Sequence, residues 1–308
     1  MNDITMNTDP SINSGQAILD AVRDSAILAT LSMGMWTGIK TDRERVAELK
    51  AQHGAAGDVG RFTKNLLAGA DGPLKVAHSA YRAVRTLHYR LTIAWGSPEQ
   101  GLLSTLAVES YLTQMAEARN VAMKAKEEFL YVYPSCIPTA QSNLGTMSDA
   151  VYPTVDEVRA AFYINIDFEP IADRNAGSFK KLGGIWGPKF IAAMDAKHNQ
   201  KALASQRAMW DRVKQPVDKL IKDLTELNND ENKKFYESSI QHVRDLLVLL
   251  PGWNMANDPR VAEIMNDLDN MIASLDHKTA KTSPSVRATT IAAGQTIMDR
   301  LNQIAPTI

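Results

Sequence analysis

The chain has 308 residues, 44% hydrophobic and 22% charged, with a formal net charge of -1. That composition suits one large or two smaller globular domains with a buried core, and it excludes bulk coating of nucleic acid by charge alone. A single cysteine, Cys136, excludes an internal disulfide framework and a paired-cysteine zinc site. No apolar stretch approaches the length of a membrane span. The expected setting is therefore the cytoplasm, with no membrane partner.

Residues 1–25 read as a polar arm with a short helix from 16 to 28 leading out of it. Leu31–Lys40 alternates Leu31, Met33, Met35 and Ile39, the period of a strand. Thr41 or Asp42 caps a short helix that ends at Gly54. Pro73 opens an amphipathic helix with Leu74, Ala77, Tyr81, Val84, Leu87 and Leu91 on one face. After Gly96-Ser97-Pro98 a second long helix is expected, with Leu103, Leu106, Ser110, Met115, Ala118, Met123 and Phe129 on its inner face and a stop at Pro134. Ser135–Leu144 is expected to form a separate short helix.

Thr154 and Glu157 have the capping-box spacing. Phe162, Ile164, Ile166 and Phe168 alternate with polar residues, so Phe162–Ile171 reads as a half-buried strand. Two strands in a helical chain need partners, so it is paired with Leu31–Lys40. From Pro188 the chain is helical to Asn228, with Pro216 expected to kink or restart it. Further helices are expected before Pro251-Gly252, from Pro259 onward (Val261, Ile264, Leu268, Ile272 and Leu275 on one face), and over Val286–Ile304.

The expected fold is mainly α with a small β element (α+β): an elongated bundle of long antiparallel helices on a short antiparallel sheet. The expected regions are an arm at 1–25, a strand, helical hairpin and return strand at 26–171, and a helical region at 172–308.

Several segments resemble a family of uncharacterised phage and mobile-element proteins: Trp36-Thr37-Gly38 with Lys40, EFLYVYP to Pro134, YPTVDEVRAAFYINIDFEPI, and FYESSIQHVRDLLVLLPGWNMANDPRV. The resemblance covers roughly residues 28–275. Members are often encoded beside a MoxR-type AAA+ ATPase and a von Willebrand A domain protein. It implies a phage- or plasmid-encoded protein in the host cytoplasm and an ATPase-linked role. It supplies no catalytic residue.

Tests for known chemistry fail one by one. The glycines at 54–72 are not followed by Gly-Lys-Ser/Thr, so no phosphate loop forms. His78 and His88 are too far apart on their helix to share a metal, and no histidine pair has i, i+4 spacing. No Gly-x-Ser-x-Gly elbow occurs. Cys136 lacks a sequence-adjacent base. Asp167 and Glu169 share a strand face that would suit a two-carboxylate site, although a wet edge explains them as well. No catalytic, cofactor or metal residue is therefore assigned.

Basic residues are the stronger signal. Residues 173–222 carry 11 Lys/Arg and 4 Asp/Glu. Lys180, Lys181, Lys189, Lys197, Lys201, Arg207, Arg212 and Lys214 form a candidate binding patch, with Arg82, Arg85 and Arg90 as a second cluster. Trp186, between glycines beside this patch, is a candidate interface anchor. The leading expectation is an interaction or assembly protein that binds a protein partner or itself. DNA binding by the basic stripe is the first alternative, and an enzyme with a site assembled only in the fold is the second.

Overall fold

The computed structural model describes residues 15–58, 60–148, 151–172, 186–230 and 233–304. Of these, 71% are helical, and the strands form one antiparallel four-stranded sheet and one two-stranded ribbon. The fold is thus mainly α with a small β element. The chain divides into two compact units. The first comprises residues 1–30, 89–109 and 167–308; the second comprises 31–88 and 110–166.

Helix α1 (Gly15–Ser25) runs directly into strand β1 (Ala26–Gly34). The strand begins earlier and ends earlier than the alternation predicts. Ile39–Thr41 is a separate strand, β2, paired antiparallel with β3 (Thr63–Asn65). Gly38, in the left-handed region at φ 68°, is the last residue of the link between β1 and β2. Between β2 and β3, helix α2 (Arg43–His53) is capped by Asp42 and closed by Gly54 in the left-handed conformation. It buries no residue, so its termini rather than a core face define it.

Helix α3 (Gly72–Leu91) buries Leu74, Ala77, Tyr81 and Val84 as its spacing predicts, and His88 in addition. It ends sooner than expected, because Ile93–Ser97 is strand β4, which turns back into β5 (Gln100–Ser104). The sheet order is β4-β5-β1-β6, with Ala26 opposite Ser104 and Ile93 opposite Leu102. The segment read as helical from Leu103 therefore starts as a strand. A 3-10 turn at Thr105–Ala107 then leads into α4 (Val108–Leu144). This resets the helical phase: Met115 and Phe129 are buried as predicted, but Leu106 points into solvent.

Pro134 and Pro138 lie inside α4, where a stop was expected. Tyr133, Cys136 and Ala140 are buried around them, so packing on both sides of the prolines outweighs the lost hydrogen bond. Pro216 likewise lies inside a continuous 44-residue helix, α6 (Trp186–Asn229), between buried Val213 and Val217. Helix α5 (Val155–Ala160) has the predicted capping box from Thr154 and Glu157. Strand β6 (Tyr163–Glu169) follows and lies beside β1. The segment carrying the predicted strand pair is thus sheet-forming at three further places: β2–β3, β4 and β5.

Helices α7 (Glu237–Trp253), α8 (Pro259–Ile272), α9 (His277–Thr282) and α10 (Pro284–Ile304) complete the first unit. Pro251 sits in the last turn of α7 rather than ending it. The first unit's core joins Trp210, Val213, Val217, Leu220 and Leu224 of α6 to Ile240, Val243 and Leu250 of α7 and to Val261, Ile264 and Leu268 of α8. Spacings of three, four and seven residues within these sets trace the apolar stripe of an amphipathic helix.

The second unit has an aromatic centre. Trp36 stacks on Phe129 with ring centroids 6.0 Å apart and meets Tyr133 edge-on at 5.4 Å. Phe162 meets Tyr81 at 5.2 Å and Phe129 at 6.1 Å. Burial pushes the hydroxyls of Tyr81 and Tyr133 up to about 12.

Candidate functional site

The residues that carry the sequence resemblance turn out to build these two interiors. Trp36, Phe129, Tyr133 and Phe162 are the aromatic centre of the second unit. His78 donates to the carbonyl of Trp36 at 2.8 Å, and Tyr133 donates to that of Pro153 at 2.8 Å. In the first unit, the segment Trp253–Arg260 folds around Asp258, which is 1% exposed. Asp258 caps α8, accepts from both Nε and Nη2 of the Arg260 guanidinium and accepts from Gln206 Nε2 at 3.2 Å. Asn254 exchanges hydrogen bonds with the Asp258 backbone in both directions.

The described members of the basic patch spread over a wide arc of one helix. Lys180 and Lys181 lie outside the described residues, as does the side chain of Trp186. The rest are on α6. At about 100° per residue, Lys189, Arg207 and Lys214 fall within about 20° of one another, exposed Lys197 lies about 80° further round, and Lys201 and Arg212 lie about 120–140° round. The second pair faces inward. Arg212 donates to the Thr92 carbonyl and covers the Trp253 ring at 5.4 Å. Lys201 lies over the Trp95 ring at 5.8 Å. Burial lowers the pKa of both, and Lys197 lowers that of Lys201 further. The outward set shares its face with Asp211 and Asp218, within about 40° on the same wheel. Arg82 and Arg90 are exposed on α3 and Arg85 is half-buried.

A second polar group sits where α1 meets α6. Arg23 donates to the carbonyl of Ala172 and lies 3.8 Å from Asp195. Asn199 donates to Gln16. His198 packs beside Trp95, with ring centroids 6.2 Å apart. Burial lowers its pKa most, Arg23 and Lys201 lower it further, and Asp195 opposes them. Nothing in the local sequence marks this group, because its members come from two distant helices.

The groups weighed for chemistry remain dispersed. Cys136 is buried and its thiol is pushed up, away from the thiolate a nucleophile needs. Asp167 and Glu169 are exposed on β6. His88 shares a 2.8 Å hydrogen bond with the Tyr111 hydroxyl, and His277 donates to the Phe235 carbonyl at 3.1 Å. Among the described residues, no three His, Cys, Asp or Glu side chains converge as a metal site would require.

What sequence reading missed is a projecting apolar feature on the first unit. Leu106 is 91% exposed at the crest of the 3-10 turn after β5, and Val248 of α7 is 80% exposed. Their neighbours approach each other: the Cβ of Ala107 lies 3.6 Å from where a Cβ on Gly252, one turn after Val248, would stand. The turn is tethered as well. Ser104 caps it through the Leu106 N–H, and Thr105 donates to the Ser25 carbonyl at 3.1 Å. Leu106 is therefore held outward by an ordered scaffold. Its position in a run of apolar residues hid this, because only the strand-to-turn break changes the phase.

Comparison of the chain with models of protein families, with curated proteins and with solved structures finds no match in any of the three. Among the described residues, no helix is long and apolar enough to cross a membrane.

Proposed function

We propose that the protein is a non-catalytic interaction or assembly protein that binds a protein partner or a second copy of itself through the Leu106–Val248 surface. The observation that carries this reading is the tethered exposure of Leu106. The backbone that carries this large apolar side chain is already ordered, so a contact made there has less chain to immobilise, which favours binding. The sequence resemblance adds the proposal that the protein is phage- or plasmid-encoded and serves as an accessory to an AAA+ ATPase system in the host cytoplasm.

DNA binding by the basic stripe ranks lower. Two of its cations are engaged inward at Thr92, Trp95 and Trp253, and its outward cations alternate with acids. An enzyme built on Asp167 and Glu169 ranks lower still, since both side chains are exposed on β6.

The test is purification with and without nuclease, read by light scattering and mass spectrometry. The expected result is a species heavier than the 33.9 kDa chain, or one with a stoichiometric protein companion. It resists nuclease and is lost in the double variant Leu106→Asp, Val248→Asp. A 33.9 kDa monomer without companions overturns the proposal. Companions that vanish with nuclease favour the DNA reading instead.

A further inference from the structure

The two outer strands of the four-stranded sheet are treated differently. Its order is β4-β5-β1-β6, so among the described residues β4 and β6 are the edges. An edge presents a row of backbone N–H and C=O groups that invites another strand. Folds blunt it by covering it or by placing lysine, proline or a bulge there. The β4 edge is covered by α6. Ser205 donates to the Ala94 carbonyl at 2.6 Å, and Arg212 donates to the Thr92 carbonyl just before the strand. The Lys201 stem passes 2.9 Å from where a Cβ on Gly96 would stand. The β4–β5 register also shifts between Ala94 and Ser97.

Strand β6 is built otherwise. Five of its seven residues are exposed, Ile166 is half-buried and Ile164 is buried. Its sequence, Tyr163-Ile164-Asn165-Ile166-Asp167-Phe168-Glu169, holds no lysine, proline or glycine and is rich in aromatic and β-branched residues. Its only charges are the carboxylates of Asp167 and Glu169, which share one face.

Those carboxylates select the partner. In a parallel match with a second copy, each would stand beside its own counterpart. The antiparallel match centred on Ile166 is the one that pairs all seven residues. It sets Asp167 opposite Asn165 of the second copy and Glu169 opposite Tyr163, so no like charges face each other. On the other face Phe168 comes beside Ile164, and Ile166 beside its own counterpart. Moving the centre to Asp167 would set that carboxylate against itself.

We propose that β6 is a self-association edge, to which a second copy of this chain adds its own β6 antiparallel about Ile166. The contact is separate from the Leu106–Val248 surface. Seven residues a side is few beside the roughly 20–30 of a stable interface, so the association is weak and grows with concentration.

Sedimentation velocity over a series rising to high micromolar concentration tests this. The full chain carries Leu106→Asp and Val248→Asp, so that the other surface does not contribute. The expected result is a monomer that shifts reversibly toward a dimer. Asn165→Asp sets two carboxylate pairs face to face in every dimer and should weaken the association roughly tenfold. Adding Asp167→Asn should restore it. Both positions are exposed, so the fold tolerates the changes. A second readout fixes the register. In Ile166→Cys the two central Cα atoms would stand about 4.5–5.5 Å apart, within disulfide reach, so mild oxidation should link two copies. The natural chain, whose single Cys136 is buried, should not link. A monomer at every concentration, association indifferent to Asn165→Asp or unrestored by Asp167→Asn, or no link at 166 overturns the proposal.

Discussion

Individual residues in this chain are constrained most tightly where backbones or buried charges approach closely. A Cβ added at Gly101 would fall 2.2 Å from Thr92 Oγ1 and 2.4 Å from Thr92 Cβ. Thr92 Cβ is tied to its backbone and cannot move aside, so Gly101→Ala should lower stability by about 2 kcal/mol, read from the urea midpoint. At Gly294 the added Cβ meets the ethyl arm of Ile221, Cγ1 at 2.7 Å and Cδ1 at 2.9 Å. That arm can turn away, so Gly294→Ala should cost less than Gly101→Ala in the same assay. Asp258→Ala removes a cap and leaves Arg260 and Gln206 without their shared acceptor. A loss of about 3 kcal/mol is expected.

His198 makes the pH prediction. Its folded pKa lies below the ordinary value of 6.5, first through burial and then through Arg23 and Lys201. The unfolded chain therefore binds more protons just below that value, and stability must fall as pH falls through it. The contribution is present above the unfolded pKa and is lost on acidification. Asp42, Asp71, Glu157 and Asp276 have lowered pKa values as well, but their contributions are lost only below about pH 4. Urea midpoints between pH 7.5 and 5 should decline in the unaltered protein and decline less in His198→Asn. Equal slopes would refute the assignment. None of these residue-scale features except the Asp258-Pro259 start was legible in the sequence, because clashes and buried partners come from elements far apart in the chain.

Elements with local signals were readable. Asp42 and Gly54 delimit α2, Thr154 and Glu157 open α5, and Asp258-Pro259 opens α8, as their spacing predicts. Each end is set within a few residues, so the sequence carries it. Thr154→Ala should cost about 1 kcal/mol in thermal unfolding. The prolines were misleading for the opposite reason: whether one breaks a helix depends on what packs around it. Pro134 lies in the interior of α4 with Tyr133 and Cys136 buried beside it. Replacing it with alanine returns a backbone donor to the helix, so Pro134→Ala should stabilise the protein by about 1 kcal/mol. A destabilised variant would show that this helix needs the proline's geometry. The β4–β5 hairpin was hidden because Ile93-Ala94-Trp95 continues an apolar run out of α3. Only pairing with β1 distinguishes it from one more helical turn.

For the molecule as a whole, the fold class was legible in the sequence, but the aromatic interior of the second unit and the surface were not. The motifs that stand out by eye build the aromatic centre of the second unit and the Asp258 network of the first. They explain folding rather than recognition. The basic stripe looked continuous along the chain and spreads around the helix once it is wound on one, with Arg212 and Lys201 turned toward Thr92 and Trp95. The feature with the best claim to recognition, Leu106 with Val248, has no sequence signature, because its exposure follows from a break between a strand and a turn.

Site-specific photo-crosslinking tests that claim most directly. A photoreactive residue placed at 106 in cells that naturally produce the protein should give a discrete, nuclease-resistant protein adduct. The adduct should be lost when Val248→Asp is added and absent when the same probe stands at exposed Lys197. No adduct at 106 above the level at 197, or one indifferent to Val248→Asp, would contradict the account.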